Sequence, residues 1–451
     1  MNKNKKSIIK TVLAAVALLA GSQVFSQGGP LAGFMIEPIV PEQSTVVAIP
    51  SVRPITGRGE TWNSSPAQWP GHGIEDFNYE INEYYISGTA AGEPYTTRMV
   101  IRRPANDSDS SGLVIAEAMH PIGGAHAFEY NSVYIMDSGH IAVEVSTLGA
   151  DQIREFNSNR YGDIQISPTQ TSEVLAQAGA LIKSEQSPIA DLNPRKMILW
   201  GTSASSAIMT RYLPAHEVFT LADGSNIYDG FMPTSNGSDI EPVDVPMIQV
   251  PTQHEYGMGA TTIQDGDEPG SQFRVYEFAG LAHLDARNNR ARVTQNDCQH
   301  PISMFPQEAY FSVALHHLLE WVDNGTVPPR ASRILMDNYV DNDGSLMLLD
   351  DSGNPYGGIR NPYVDVAAYK YTMRNVYIGD NAEGQVLGAS ILCFLSGWQT
   401  PVESASLRRE YRSTTNYVNQ FEDRLNELEA AGWSLPVYHD LIMEDARNVQ
   451  F

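Results

Sequence analysis

Short apolar runs alternate with amphipathic segments along the middle of the chain. Between several of the runs, apolar residues recur at the three- and four-residue spacing of a helix, as at Val174, Ala178 and Leu181. Runs this apolar suit strands buried on both faces, and a strand-helix-strand succession requires crossover connections. The pattern therefore predicts an α/β fold with a mostly parallel central sheet and helices on both faces. The five runs lie at residues 113–116, 141–145, 197–200, 247–250 and 273–278.

Two strands of another kind are predicted ahead of this unit. Residues 80–86 and 98–103 have the composition of half-buried strands, and the turn formers Gly88, Gly92 and Pro94 lie between them. We expect these two segments to form an antiparallel sheet at the start of the core.

The α/β core is expected to cover residues 27–329. Apolar residues from 310 to 321 predict a helix, and Asn324-Gly325 followed by Pro328-Pro329 is a stop signal. Residues 330–451 are then expected to pack on the core as an accessory segment and to roof the site, rather than to form an independent domain. This segment should contain an Asp/Asn/Gly-rich hairpin around residues 341–354 and one long amphipathic helix. The apolar stripe of that helix comprises Leu407, Tyr411, Val418, Phe421, Leu425 and Leu428.

The first 26 residues have the order of a secretory signal peptide. Four lysines within the first ten residues precede the apolar run 11–20, and small or turn-forming residues then lead to Ser26. That run is far shorter than the roughly 20 residues of a membrane-spanning helix. The sequence therefore predicts a secreted or periplasmic protein without a membrane span.

The net charge limits the possible binding partners and substrates, and the two cysteines predict a disulfide. The net charge is −24, and loss of the four signal lysines takes it to −28. A field of this sign repels phosphate backbones, so nucleic acid is excluded as a partner and the substrate is expected to be neutral or apolar where it reacts. In an oxidising compartment, Cys298 and Cys393 are expected to form a disulfide, with two buried thiols as the alternative.

One stretch has the pattern of a catalytic nucleophile. The apolar run 197–200 leads into Gly201-Thr202-Ser203-Ala204-Ser205 and then into a predicted helix. In such a strand-turn-helix, the sharp turn lifts the serine oxygen above the sheet, and the N–H groups at the helix start face a developing oxyanion. A serine that merely caps a helix gives the same local pattern, so partners for Ser203 have to be found.

Suitable partners follow Ser203 in chain order. A serine nucleophile needs a base, and the base is oriented by a carboxylate; in an α/β-hydrolase the acid comes next and the histidine last, each just after a later strand. Glu255 follows the run 247–250, and His283 follows the run 273–278 and a glycine turn. The sequence therefore predicts a Ser203, Glu255 and His283 triad. Other carboxylates on plausible loops are Asp239, Asp265 and Asp267.

The oxyanion donors are predicted at two places. The N–H of Ala204 is one, at the helix start. The second is expected from the loop after the run 113–116, from the N–H of Met119 or His120.

Several separated blocks of the chain carry a further signal. They are Tyr95–Pro104, Arg160-Tyr161-Gly162, the Gly201 to Ser205 elbow with Arg211-Tyr212-Leu213, Tyr228–Phe231, Phe273–His283, Trp321-Val322 with Pro328-Pro329, and Gly358-Ile359-Arg360. In these blocks the chain resembles the bacterial alpha/beta hydrolase domain-containing family of secreted, esterase-like proteins. The resemblance implies an α/β-hydrolase fold and a serine hydrolase acting on carboxylic esters, with Ser203 and His283 as motif matches and Glu255 as the acid. The chain departs from the family in having Ser203-Ala204-Ser205 where Ser-Gln-Ser is usual, and Gln253 where an acidic residue is common.

The sequence also contains features that other kinds of protein would use, namely metal sites, ligand-binding proteins and other hydrolases. A metal site would use His120 and His126 with His254 or Asp229, but paired ligands at short spacing are missing, so no metal and no cofactor is expected. The acidic residues 341–350 lack the register of a calcium loop and suit a solvated turn. A hydrolase-shaped ligand-binding protein remains a non-enzymatic alternative, and the same triad would serve a peptidase or lactonase.

Overall fold

A mixed β-sheet forms the centre of the molecule. The computed structural model describes residues 32–62, 71–121, 127–258, 261–287, 297–337, 347–379 and 383–451. The strands within those ranges are β1 (Thr45–Val46), β2 (Ser51–Pro54), β3 (Tyr79–Ala90), β4 (Glu93–Pro104), β5 (Leu113–Ala118), β6 (Ile141–Val145), β7 (Lys196–Thr202), β8 (Phe219–Thr220), β9 (Gly230–Thr234), β10 (Met247–Gln249), β11 (Phe273–Val275), β12 (Tyr369–Thr372) and β13 (Trp398–Pro401).

Across the described part of the sheet the strand order is β11-β10-β9-β7-β5-β6-β4-β3-β2. The strands from β11 to β6 in this order run parallel, whereas β4 pairs antiparallel with β6 and β3, and β3 pairs antiparallel with β2. Two small pairs lie outside this sheet, the parallel β1 and β8 and the antiparallel β12 and β13. Strand β7 has β5 on one side and β9 on the other, so its carboxyl end lies in the middle of the edge where ligands of parallel sheets are bound.

Helices cover both faces of the sheet. The α-helices of the described ranges are α1 (Ser132–Asp137), α2 (Ala150–Phe156), α3 (Ser158–Tyr161), α4 (Thr171–Ile182), α5 (Ala204–His216), α6 (Gln307–Asn324), α7 (Pro362–Asp365), α8 (Glu383–Leu395), α9 (Ser404–Tyr411), α10 (Thr414–Ala430) and α11 (His439–Asn448). Helices α4 and α5 pack on one face, and α1, α6 and the helices α9 to α11 pack on the other.

The parallel strands are buried on both sides, as their continuous apolar runs predict. In β7, Ile198 and Trp200 join the core that contains α6, while Met197 and Leu199 join the core that contains α4 and α5. Each side chain alternates to the opposite layer because the period of a strand is two residues.

The predicted strands are confirmed, with three corrections. The five apolar runs form β5, β6, β7, β10 and β11, and the two earlier segments form β3 and β4. The turn between β3 and β4 is Ala91-Gly92, so Gly88 and Pro94 lie inside the strands instead. Strand β11 ends at Val275 rather than at Phe278. Strand β9 was not predicted, because Gly230 and Pro233 obscure its strand character.

The accessory segment differs from its prediction in one respect. The expected long helix is two helices, α9 and α10, which are separated at Arg412, where φ is 67°. Ser413 caps the second helix by accepting the Asn416 N–H at 3.1 Å. The predicted apolar stripe does face the core: Leu407, Tyr411, Phe421, Leu425 and Leu428 are buried, and Val418 is partly buried.

Two other predictions concern parts of the chain outside the described residues. The signal peptide at 1–26 lies wholly outside them, and the tip of the predicted hairpin, at 338–346, does too. The described part of that hairpin has antiparallel bridges joining Met336 to Met347 and Leu349 to Pro355.

A disulfide connects the core to the accessory segment. Cys298 and Cys393 are bonded with their Cα atoms 5.4 Å apart, as predicted from their number and compartment. Cys393 lies in the last turn of α8, and Leu395 at the end of that helix accepts a backbone hydrogen bond from Leu284 at 3.0 Å. The accessory segment therefore contacts the chain immediately after His283.

Candidate active site

Ser203 occupies a sharp turn between β7 and α5. Its φ and ψ are 53° and −119°, a region that non-glycine residues rarely adopt. The Ser203 N–H donates to the carbonyl of Thr234 in β9 at 3.0 Å, which holds the strained residue at the end of the sheet. Ser203 is partly exposed. This is the geometry of a nucleophile elbow.

Small residues make the turn possible. A Cβ on Gly201 would lie 2.6 Å from the backbone of Ser205, so the strand and helix approach this closely only with glycine there. Ser205 stands where the second glycine of a nucleophile elbow is usual. Its buried hydroxyl accepts the Thr202 N–H at 2.9 Å and donates to the Thr202 carbonyl at 2.8 Å. Ser205 thus closes the elbow with a pair of hydrogen bonds that glycine lacks.

His283 reaches Ser203 from the loop that follows β11. Its Nε2 lies 2.8 Å from Ser203 Oγ, a hydrogen-bond distance between side chains 80 residues apart. Gln307 at the start of α6 stabilises the His283 loop, because its side-chain amide donates to the carbonyl of Ala282 at 3.0 Å. The His283 side chain is 8% exposed, so the imidazole is nearly shielded from water.

Glu255 completes a three-residue chain. Its Oε1 lies 2.6 Å from His283 Nδ1, and its Oε2 accepts from the Thr252 N–H at 2.6 Å and the Thr252 hydroxyl at 2.7 Å. Burial favours the neutral carboxyl and would raise the pKa of Glu255. The charge and hydrogen bond of His283, with smaller contributions from His254 and Thr252, outweigh burial and hold that pKa below its ordinary value. Glu255 is therefore a carboxylate that orients the imidazole through Nδ1.

The other carboxylates considered as the acid have different partners. Asp239 accepts hydrogen bonds from Thr261 and Thr262, Asp265 accepts the Val275 N–H at 3.1 Å, and Asp267 pairs with Arg274 and Arg330. The structure brings Glu255 alone among these four carboxylates to His283.

A second histidine, His254, lies beside His283, and no sequence pattern predicted it there. The His254 ring is 5.8 Å from the His283 ring and 4.7 Å from Phe394 of α8, in edge-on contacts. Burial, and then the charge of His283, lower the pKa of His254 to about 4, so its imidazole is neutral at ordinary pH. Its Nδ1 lies 3.3 Å from the Met373 carbonyl, which makes that nitrogen the protonated one. A neutral ring here avoids placing a second positive charge beside His283.

The structure agrees with the prediction for one oxyanion donor, Ala204, and corrects it for another, Met119. Ala204 is the first residue of α5, so its N–H has no acceptor within the helix and lies next to Ser203. Met119 is a correction: its N–H donates to the Val145 carbonyl of β6 at 2.9 Å and is therefore committed to the sheet. His120, the next residue, is the other residue predicted for this second donor.

Metal ligands are not grouped in this part of the molecule. Over the described ranges, no set of three or more His, Cys, Asp or Glu side chains is arranged to hold a metal ion. Asp229 pairs with Lys183 and Lys196, and His254 has the neighbours given above. His126, another residue of the metal hypothesis, lies outside the described residues.

Comparison with known proteins gives the family. The model of a family described as "Alpha/beta hydrolase domain" matches residues 51–444, which is most of the chain. The chain belongs to this alpha/beta hydrolase family. The α/β-hydrolase fold and the family resemblance inferred from the sequence blocks are thereby confirmed. Among curated proteins, none matches this alpha/beta hydrolase.

Solved structures similar to this hydrolase include bacterial esterases at low identity. A cold-adapted esterase from an Arctic intertidal metagenomic library is 14% identical, covering 48% of this chain and 88% of its own, with a TM-score of 0.26. A thermostable esterase from Pseudomonas putida is 13% identical, covering 39% of this chain and 65% of its own, with a TM-score of 0.26. No helix in the described ranges of the hydrolase is long and apolar enough to cross a membrane.

Proposed function

We propose that this chain is a serine hydrolase that cleaves carboxylic esters through an acyl-enzyme on Ser203. One observation carries the proposal: Ser203 Oγ, the two nitrogens of His283 and the Glu255 carboxylate form one hydrogen-bonded chain with contacts of 2.8 and 2.6 Å. A serine hydroxyl is a weak nucleophile until a base accepts its proton, and this chain supplies the base and its orienting acid.

The first half of the proposed reaction acylates Ser203. Its Oγ attacks the ester carbonyl while its proton passes to His283 Nε2, and Glu255 stabilises the resulting imidazolium through Nδ1. The tetrahedral intermediate then expels the alcohol, which takes the proton from Nε2. In the second half, water attacks the acyl-enzyme by the same proton transfers and releases the carboxylic acid.

The oxyanion of each intermediate is proposed to bind between the N–H groups of Ala204 and His120. Strand β5 pairs Glu117 with Trp200 of β7, and His120 and Ser203 each follow this pair by three residues, just after their strands end. Successive N–H groups of an extended segment point to opposite sides. Since the Met119 N–H donates to Val145 of β6, we expect the His120 N–H to be directed the other way, to β7 and Ser203.

The substrate and the compartment belong to the same proposal. We infer a neutral ester, as a small molecule or as part of a polymer, because a net charge of −24 disfavours anionic substrates. Action outside the cytoplasm is supported by the Cys298–Cys393 disulfide, since such bonds persist in oxidising compartments.

The test uses a covalent probe and graded esters. A fluorophosphonate should label Ser203 of the purified protein, and Ser203→Ala with unchanged folding should lose both labelling and cleavage of short p-nitrophenyl esters. Ser225→Ala, in an exposed turn far from the elbow, is the matched control and should keep both activities. Ester cleavage by folded Ser203→Ala would overturn the proposal. A well-folded wild type that reacts with neither probe nor ester would favour the ligand-binding alternative, and cleavage of peptides or lactones alone would reassign the substrate.

A further inference from the structure

Six charged side chains of alternating sign cross one face of the sheet beside the candidate active site. Successive members of this charged row lie 3.7, 3.2, 3.1, 2.6 and 2.5 Å apart. Five of the six side chains are at most 5% exposed. In order from the site, the charged row consists of Glu117, Arg102, Glu144, Arg98, Glu83 and Arg160.

A row of buried charges needs a physical reason. Ions lose their hydration on burial, and well-packed apolar residues often stabilise a core as well or better. The apolar neighbours of this row, Ile115 and Ala142, show that the same face accepts aliphatic side chains. Stability alone therefore does not account for the charges, and their contacts outside the row have to be considered.

Glu117, the first member, has such a contact. It lies in β5, three residues before His120, and its carboxylate accepts the N–H of Ala127 at 2.6 Å and the N–H of Phe128 at 3.2 Å. Glu117 therefore contacts Ala127 and Phe128, which follow His120 by seven and eight residues. Arg102, next in the row, lies 4.7 Å from the Phe128 ring and 3.7 Å from Glu117, so it holds both the carboxylate and the returning segment.

We propose that Glu117 is a positioning residue for the second oxyanion donor, the N–H of His120. This inference rests on the proposed function. The Glu117 carboxylate accepts two hydrogen bonds that hold Ala127 and Phe128 beside β5, and the Arg102 guanidinium lies 3.7 Å from the same carboxylate. His120 lies between these two ends, and its N–H stabilises the oxyanion only if held within a fraction of an ångström.

Glutamine is the decisive substitution at this position. The two oxygens of Glu117 accept from two different N–H groups, whereas a glutamine side chain has one acceptor and turns an NH₂ toward the other donor. Glu117→Gln thus breaks one anchor while conserving size. We expect kcat on p-nitrophenyl esters to fall about ten- to hundredfold with KM nearly unchanged, less than the loss of a whole donor. The affinity for a trifluoromethyl ketone, which forms a tetrahedral adduct, should weaken by a similar factor.

Glu83→Gln is the matched control. Glu83 is in the same charged row and pairs with Arg98 and Arg160, but it lies on β3, three strands away from β5. It should lower the melting temperature as Glu117→Gln does, yet leave kcat and ketone affinity of the folded enzyme within about twofold of wild type. If Glu117→Gln and Glu83→Gln have the same wild-type kcat, Glu117 is merely structural and the proposal fails.

A second variant tests the contact without touching any charge. Ala127→Pro removes the N–H that Glu117 accepts and leaves the charged row intact, at the first position of a 3₁₀ turn where proline is tolerated. It should reproduce the kinetic defect of Glu117→Gln, and the double variant should be no worse than either single one. Wild-type kinetics of Ala127→Pro would overturn the inference even if Glu117→Gln does not fold. A wild type without ester hydrolysis would instead remove the proposed function itself.

Discussion

Replacing Glu255 by glutamine tests the triad at its most specific point. In the wild type, Oε2 of Glu255 accepts two hydrogen bonds from Thr252, and Oε1 faces His283 Nδ1 at 2.6 Å. The Thr252 N–H is buried and requires an acceptor, so the single oxygen of glutamine has to turn toward Thr252. Its NH₂ group then faces His283 and donates to Nδ1.

That reversal changes which nitrogen of His283 carries the proton. With Nδ1 as an acceptor, the neutral imidazole is protonated on Nε2, the nitrogen that lies 2.8 Å from Ser203 Oγ. A protonated Nε2 cannot take the serine proton, so the base is lost while the geometry stays. The expected loss in kcat is about 10⁴-fold, equivalent to ~5 kcal/mol of transition-state stabilisation.

The assay is steady-state hydrolysis of a p-nitrophenyl ester by folded protein, with near-ultraviolet circular dichroism to compare the fold. Thr252→Val is the matched control, because it removes one hydrogen bond to Oε2 and leaves both the Thr252 N–H and the His283 contact. We expect it to lose less than tenfold in kcat. Folded Glu255→Gln with kcat within tenfold of wild type would show that Glu255 is not the acid of the triad.

Three further predictions concern stability. Ser205→Ala should cost about 1–3 kcal/mol in urea unfolding, because the buried Thr202 N–H loses its acceptor; an unchanged midpoint would contradict this. Replacing Cys298 and Cys393 by serine should cost about 4 kcal/mol, since their bond closes a loop of 95 residues; reduced wild type should match the variant, and a reduced wild type as stable as the oxidised one would refute it. Burial raises the pKa of Glu308 to about 7, so the folded state binds its proton more tightly than the unfolded state and the free energy of unfolding should fall between pH 4.5 and 7. The Glu308→Gln variant should lack this contribution, so its melting temperature should fall less than that of the wild type between pH 5 and pH 8. An equal fall in the two proteins would contradict the prediction.

The sheet could be predicted because its strands are buried on both faces. Such strands have uninterrupted apolar runs, which stand out from the helical spacing between them, and β5, β6, β7, β10 and β11 were found in this way. Strand β9 was not predicted because glycine and proline occupy two of its five positions, although it is as buried as its neighbours. The break between α9 and α10 escaped for the opposite reason: the apolar stripe continues across it, and only the backbone of Arg412 leaves the helix.

The triad could be predicted because its members are tied to strand ends. Parallel strands bring their carboxyl ends to one edge, so chain order together with the strand positions of Ser203, Glu255 and His283 was enough to expect their meeting. His254 carried no such signal, since it follows the same strand as Glu255 and its role depends on packing against Phe394 from a segment 140 residues later.

Sequence patterns cannot decide between the two residues considered for the proposed second oxyanion donor, because the choice depends on the direction of a single N–H bond. Met119 and His120 are adjacent and both follow β5, so the sequence pattern does not distinguish between them. The Met119 N–H donates to β6 on one side of β5, and the proposal assigns the His120 N–H to the side of β7. The same strand order places Glu117 where one carboxylate can reach both the charged row and the segment returning at Ala127. A sequence motif can reveal the residues that react, because the chemistry requires particular residue types. The residues that position them depend on which strands are paired in the sheet. The strand order β5-β6-β4-β3, which brings Glu117 beside the charges of β4 and β6, differs from the order of these strands in the sequence, and for that reason Glu117 was not among the predicted site residues.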